Sequence, residues 1–343
     1  MKTHTIIMYI LLTQKLLFGQ TIFGNIKIIE EIKLSGHTVY NPFQMEIYND
    51  HIILHDDGSE KKILHFDLNG RFINSFGKQG QGPGEFNNMP RLAGGNTSHV
   101  FISSSPQKLD IFDLNSARYI KSILIKNDFA RPVRVFDNLL VARAGINTKF
   151  LMVGYTLKKG YEIDFSNPIY FGDYKEDPEL IPCSKNPLLK EGSSFNDNDE
   201  NIFFAFRSGS LIIGYNRNGD KIFKTTEPYN IEIPNYIRRP GTDYASPPRN
   251  KYPVITISLG GDEKYIYSLY SGAVFKTFSE FLLNKEDINQ GEIINVFDKK
   301  TSKYLGSYKL PVPVRKIAIN RDNIYALSIE PRITIYKLKK PLD

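Results

Sequence analysis

A chain of 343 residues with one cysteine, no tryptophan and a formal charge of +7 can form no internal disulfide. Its basic residues are dispersed, so the charge reads as a solvated surface with a modest attraction for anions, and no run resembles a nucleic-acid patch. Tyr and Phe are abundant, and no long stretch carries the apolar period of an amphipathic helix, so strands are expected throughout.

The first residues, Met1-Lys2-Thr3-His4, are basic, and residues 5–12 are mostly apolar. That is the pattern of a secretory signal cut near Gly19-Gln20-Thr21, so residues 1–20 are read as a signal peptide and 21–343 as one exported domain, periplasmic or extracellular. Gln14-Lys15 interrupts the run, which is too short and too broken for an integral membrane span. Loss of Lys2 and Lys15 would leave a charge of +5. No cysteine lies near the cut, which excludes a lipid anchor there.

Residues 26–34 have strand character but precede the first complete repeat. That repeat is centred on Phe66-Asp67-Leu68-Asn69-Gly70-Arg71-Phe72, two strands joined at Asn69-Gly70, where positive φ is tolerated. Its apolar-aromatic-turn pattern returns at Ile111-Phe112-Asp113, Val153-Gly154-Tyr155, Ile213-Gly214-Tyr215, Val296-Phe297-Asp298 and Thr334-Ile335-Tyr336. A shorter apolar run precedes each copy, as in Ile52-Ile53-Leu54 and Val100-Phe101-Ile102. A period of about 40–50 residues with four strands per unit is the signature of a β-propeller. The reading is all-β: six four-stranded antiparallel blades at about residues 43–77, 91–125, 133–171, 193–224, 254–307 and 314–338. The last blade has no room for its fourth strand, so the strand in residues 26–34 is expected to complete it and close the ring.

The link Gly80-Gln81-Gly82-Pro83-Gly84-Glu85-Phe86, after Ser75-Phe76-Gly77 and before Pro90-Arg91-Leu92, resembles the blade-to-blade link of NHL-repeat propellers. The chain is similar to the secreted bacterial six-bladed propellers of the NHL-like or TolB-like kind, most closely over residues 45–125. The resemblance implies the fold. It implies little about chemistry, because such propellers include binding modules, lactonases, lyases and scaffolds. The glycines of the link allow a tight path and Phe86 is expected to pack between blades; a phosphate cradle would need a following helix.

Strand direction separates two faces. Links from strand one to two and from three to four are short; links from two to three and between blades carry three insertions, at 172–192, 225–253 and 272–291, which makes theirs the expected binding face. The segment 236–253 interleaves Arg238, Arg239, Tyr244 and Arg249, which suits stacking and carboxylate contacts. The inner strands begin with proline and a cation at Pro90-Arg91, Arg131-Pro132-Val133-Arg134 and Pro313-Val314-Arg315-Lys316. If Arg91, Arg131, Arg134, Arg315 and Lys316 point to the axis, the channel mouth is electropositive and suits a carboxylate, phosphate or acidic sugar.

Catalytic signals are weaker. Lactonase-like propellers hold calcium on the axis with Glu, Asn and Asp side chains, and here the inner strands offer only Glu46, Asn196 and Asp197. His51, His55 and His65 lack zinc-site spacing, and Cys183 is expected to be packed. The sequence therefore predicts a non-catalytic exported propeller, with no cofactor or metal, that binds a small anionic or carbohydrate ligand or a protein partner. The alternatives are a hydrolase or lyase acting on an anionic or carbohydrate substrate in the same mouth, and a protein-interaction scaffold.

Overall fold

The computed structural model describes residues 22–342 except 49, 59–62, 87–89, 105–107, 126–128, 146–147, 186, 199, 230, 234–236, 239–244, 247–251 and 276–289. Six antiparallel sheets succeed one another around a ring. Their inner strands are Pro42–Tyr48, Arg91–Gly95, Phe129–Phe136, Gly192–Asn196, Tyr252–Gly261 and Lys316–Ile319, and these define blades 1 to 6.

The second strand of each blade is buried along most of its length because both faces of a blade are covered by neighbours, so its apolar residues divide between two interfaces. In blade 1, Ile52 and Leu54 pack towards blade 6 while Ile53 packs towards blade 2. In blade 2, Val100 and Ile102 face blade 1 and Phe101 faces blade 3. Six apolar clusters result, one between each pair of adjacent blades. The inner strands diverge, and polar side chains stitch them: Leu92 N donates to Gln44 Oε1 at 2.9 Å, Leu259 N to Ser193 Oγ at 2.9 Å and Ile317 N to Ser258 Oγ at 3.2 Å.

The ring closes as the sequence predicts. Ile28–Ile32 pairs antiparallel with Thr334–Lys339, with Ile32 opposite Ile335, and becomes the fourth strand of blade 6. A feature not foreseen is the strand before it: Ile22–Asn25 adds to the outer edge of blade 5 in parallel with Tyr304–Val314. The amino-terminal segment thus ties two blades together.

The glycine-rich link after blade 1 is structural. Gly77 has φ +64°, and a Cβ there would lie 2.2 Å from Phe86, whose ring is fully buried with Phe76, Leu92 and Phe112. Gly82 N donates to Glu85 Oε2 at 2.8 Å, and Lys108 Nζ donates to the Glu85 carbonyl at 3.0 Å.

Candidate functional site

The inner strands enclose an axial cavity of about 900 Å³. Its rim is built from the short hairpins between first and second strands, including Thr97, Asn198, Glu263 and Asn320. The sequence reading placed the site on the face with long links; the described lining of the cavity reaches the short-link face through these hairpins. The residue types expected at the mouth are nevertheless present on its walls, and they fall into three layers.

In the middle layer, Arg134 of blade 3 reaches across to blade 1, where its guanidinium donates to Glu46 Oε1 at 2.6 Å and Oε2 at 2.9 Å, and its Nε donates to Asn196 Oδ1 of blade 4 at 3.0 Å. Burial alone would favour loss of the Arg134 proton, but the Glu46 carboxylate outweighs it and holds the guanidinium more firmly protonated than usual. Tyr48 stands beside this pair; burial first, then the Glu46 charge, push its phenol well above the ordinary range. Its hydroxyl is buried and makes no hydrogen bond among the described residues.

The floor carries Arg91, Arg143 and Lys316. Lys316 Nζ donates to the Ile257 carbonyl at 3.0 Å. Burial first, then the charges of Arg207, Arg91 and Arg315, bring its pKa down to about 8 against the opposing pull of Glu46. The Arg91 guanidinium also lies 5.8 Å from the centre of the Phe43 ring.

The rim is closer to balanced. Lys299 pairs with Asp197 at 2.8 Å and Lys340 with Asp262 at 2.7 Å. Burial alone would raise the Asp262 pKa, but Lys340 and the backbone amides of Tyr265 and Lys264 bring it below the usual carboxylate value. Among the described lining residues eight cations meet four carboxylates, an excess of four positive charges.

Of the residues singled out from sequence, Arg91, Arg134 and Lys316 line the cavity. Arg315 does not: its guanidinium donates to Asn41 Oδ1 at 2.7 Å and to the Pro42 carbonyl at 3.1 Å, joining blade 6 to the start of blade 1 on the long-link side. Arg131 and Arg238 are described in backbone only, within Phe129–Phe136 and Ile237–Arg238. Arg239, Tyr244 and Arg249 lie outside the described residues. Arg143, Lys299, Lys340 and Tyr48 were missed. Arg143 left one signal, a cation inside the otherwise apolar strand Leu139–Ala144.

Glu46, Asn196 and Asp197, the incomplete calcium set, are bound to cations or amides: Arg134 takes the first two and Lys299 the third. No group of three His, Cys, Asp or Glu capable of holding a metal occurs among the described residues. His51 and His65 meet at 2.8 Å, His65 also faces Asn74 at 3.0 Å, and burial followed by the neighbouring His51 brings the His65 pKa down to about 4 despite Asn74.

The long link at 172–192 is a packed cap, contrary to its reading as a ligand loop. Its short helical turns bury Leu180, Cys183 and Leu189 against Leu151, Phe171 and Tyr215. Burial pushes the Cys183 thiol up to about 12, which makes it a poor nucleophile.

A family model described as a six-bladed β-propeller, DUF5128, matches residues 37–138. No curated protein sequence matches the chain. Among solved structures, a member of the DUF4221 family from Bacteroides vulgatus aligns with a TM-score of 0.59 at 10% identity, covering 92% of this chain and 98% of the other. A candidate exported protein from Bacteroides fragilis aligns with a TM-score of 0.51 at 12% identity, covering 93% and 99%. These likenesses establish the six-bladed propeller and leave the NHL-like or TolB-like subtype unsupported. No described helix is long and apolar enough to cross a membrane.

Proposed function

We propose that this protein is an exported binding module whose axial cavity, reaching the short-link face, takes a small anionic ligand. One observation carries the reading: the described lining of the cavity holds eight cations, with Arg91, Arg143 and Lys316 on its floor, against four carboxylates. Like charges held together in a narrow cleft focus potential on an incoming anion. The one carboxylate in the middle layer, Glu46, is gripped by both terminal nitrogens of Arg134 and so is a poor general base, which favours binding over catalysis.

Thermal unfolding of residues 21–343 against phosphate, citrate and sugar acids tests this directly, since a ligand of the folded state raises the melting temperature by mass action. The expected result is stabilisation by anions that falls with added salt and is lost in Arg91→Ala. Equal melting temperatures with and without every anion would overturn it.

A further inference from the structure

We propose that Lys316 captures the carbonyl carbon of a 2-oxo acid as a reversible imine, which gives the cavity a covalent hold on its ligand. The choice of an acid rests on the anion reading above; the amine chemistry rests on Lys316 itself and goes beyond that reading.

A lysine becomes a nucleophile when desolvation and neighbouring cations favour its neutral form, and when open space beside Nζ admits a carbonyl. Four lysines line the cavity, and Lys316 alone meets both conditions. Lys299 and Lys340 are ion-paired with Asp197 and Asp262 at 2.8 Å and 2.7 Å, and Lys264 is exposed at the rim. Lys316, the first residue of the inner strand Lys316–Ile319, makes no ion pair among the described residues. Its Nζ donates to the Ile257 carbonyl at 3.0 Å. A carbonyl can only accept, so this bond positions Nζ and leaves the lone pair of the neutral amine for attack. The charges around it come from several blades: Arg91 on the inner strand of blade 2, Arg207 just after the second strand of blade 4 and Arg315 beside it in the chain, opposed by Glu46 of blade 1. With its pKa at about 8 instead of 10.5, the neutral amine at pH 7 is on the order of 100-fold more abundant than at an ordinary lysine.

The pKa alone would not select this residue. Lys190 is also brought down to about 8 by burial, yet it is 1% exposed, and its Nζ is enclosed by the Ala144 and Gly145 carbonyls at 2.8 Å and 3.0 Å and by the Tyr174 ring. Lys316 instead faces a cavity of about 900 Å³.

The step balances without a co-reactant. The neutral Nζ donates its lone pair to the carbonyl carbon, the C=O π pair moves to oxygen, and that oxygen takes one proton from nitrogen and one from solvent and leaves as water. An ammonium and a carbonyl thus become an iminium and water at unchanged charge. Glu46 has both oxygens on Arg134 and is ill placed to draw a proton from the imine, so hydrolysis returns amine and ligand.

The test is borohydride trapping on residues 21–343 with pyruvate and glyoxylate, against hydroxyacetone and glycolaldehyde as neutral carbonyls of similar size, read by peptide mass spectrometry. After brief exposure at pH 7, pyruvate should mark Lys316 at least roughly tenfold faster than any other lysine, Lys190 included, and hydroxyacetone should mark it at least roughly tenfold more slowly. Trapping should rise about tenfold from pH 6 to 7 and level off above 8, where an ordinary lysine would still be climbing. Lys316→Arg keeps a cation and a donor for Ile257 but forms no imine, so it should retain stabilisation by anions and lose the adduct; Lys316→Met gives a second variant that must also lose it. Adducts spread evenly over the lysines, or none, while anions still raise the melting temperature, would overturn the capture and leave the anion reading standing. Equal marking by hydroxyacetone would overturn the assignment to an acid. No adduct and no stabilisation by any anion would remove both.

Discussion

Two carboxylates in this molecule, one half-buried and one buried, meet opposite surroundings. Glu46, on the inner strand of blade 1, is held by the Arg134 guanidinium through both oxygens. Glu227 arrives from the link between blades 4 and 5, is 1% exposed, and meets only neutral donors: Thr256 Oγ1 at 3.1 Å, Asn295 Nδ2 at 2.6 Å and the Ser268 hydroxyl. Burial pushes the Glu227 carboxyl up to about 7 even though all three donors favour the ionised form. Dipoles repay less of the cost of burying a charge than a full opposite charge does. The axis has cations in excess and captures an acid; the interior of a blade has none to offer and leaves its acid half protonated near neutrality.

Breaking the axial pair should have the largest effect. Glu46→Ala leaves the Arg134 guanidinium, 6% exposed, without its carboxylate, and the expected loss is about 3 kcal/mol in urea unfolding at pH 7. Glu46→Ala combined with Arg134→Met should recover most of that loss, because it is the stranded charge and not the missing contact that dominates. A single variant as stable as the parent would show that channel water already screens the pair.

Glu227→Gln addresses the other side of the comparison. The folded-state pKa of about 7 lies above the ordinary carboxyl value of 4.5, so the folded state holds the proton longer than the unfolded chain does. Stability should therefore fall as pH rises from 4.5 to 7 and level off above, by on the order of 2–3 kcal/mol from this group. Glutamine, like the protonated acid, sets a donor group beside an acceptor oxygen, its amide carrying two N–H donors to the acid's one O–H. The variant should flatten that decline and be the more stable form at pH 8, as followed by urea midpoints across pH. A parallel decline in both proteins would assign the slope to other groups.

The two acids also differ in how far the sequence reveals them. Glu46 lies on a strand whose period and position mark it as inner, so its proximity to Asn196 at the axis was legible; that an arginine rather than a metal joins them was not, because Arg134 reaches across the ring from blade 3. Ring closure by residues 26–34 was legible from the missing fourth strand of blade 6. The extra strand Ile22–Asn25 was not, since an open sheet edge can take a partner that no periodicity demands. Glu227 gave no signal, being a link residue whose bonds are made by three strands of a blade it does not belong to. Link length located the insertions but not their use: the one at 172–192 extends the core between blades 3 and 4.

The smallest effect is expected at the rim, where Asp197 combines both solutions. It accepts from the Asn201 backbone at 2.9 Å and from Asn201 Nδ2 at 3.1 Å, and also pairs with Lys299 at 2.8 Å. Removing the cation in Lys299→Met leaves those neutral donors in place, so although the Asp197 carboxylate is only 3% exposed the loss should stay at about 1–2 kcal/mol. If charge pairing and not the number of hydrogen bonds decides what a buried acid costs, stability losses must rank Glu46→Ala above Lys299→Met despite the similar distances of the two ion pairs. A Lys299→Met loss equal to that of Glu46→Ala would mean that the two amide donors contribute little, and that Asp197 depends on its lysine as fully as Arg134 depends on Glu46.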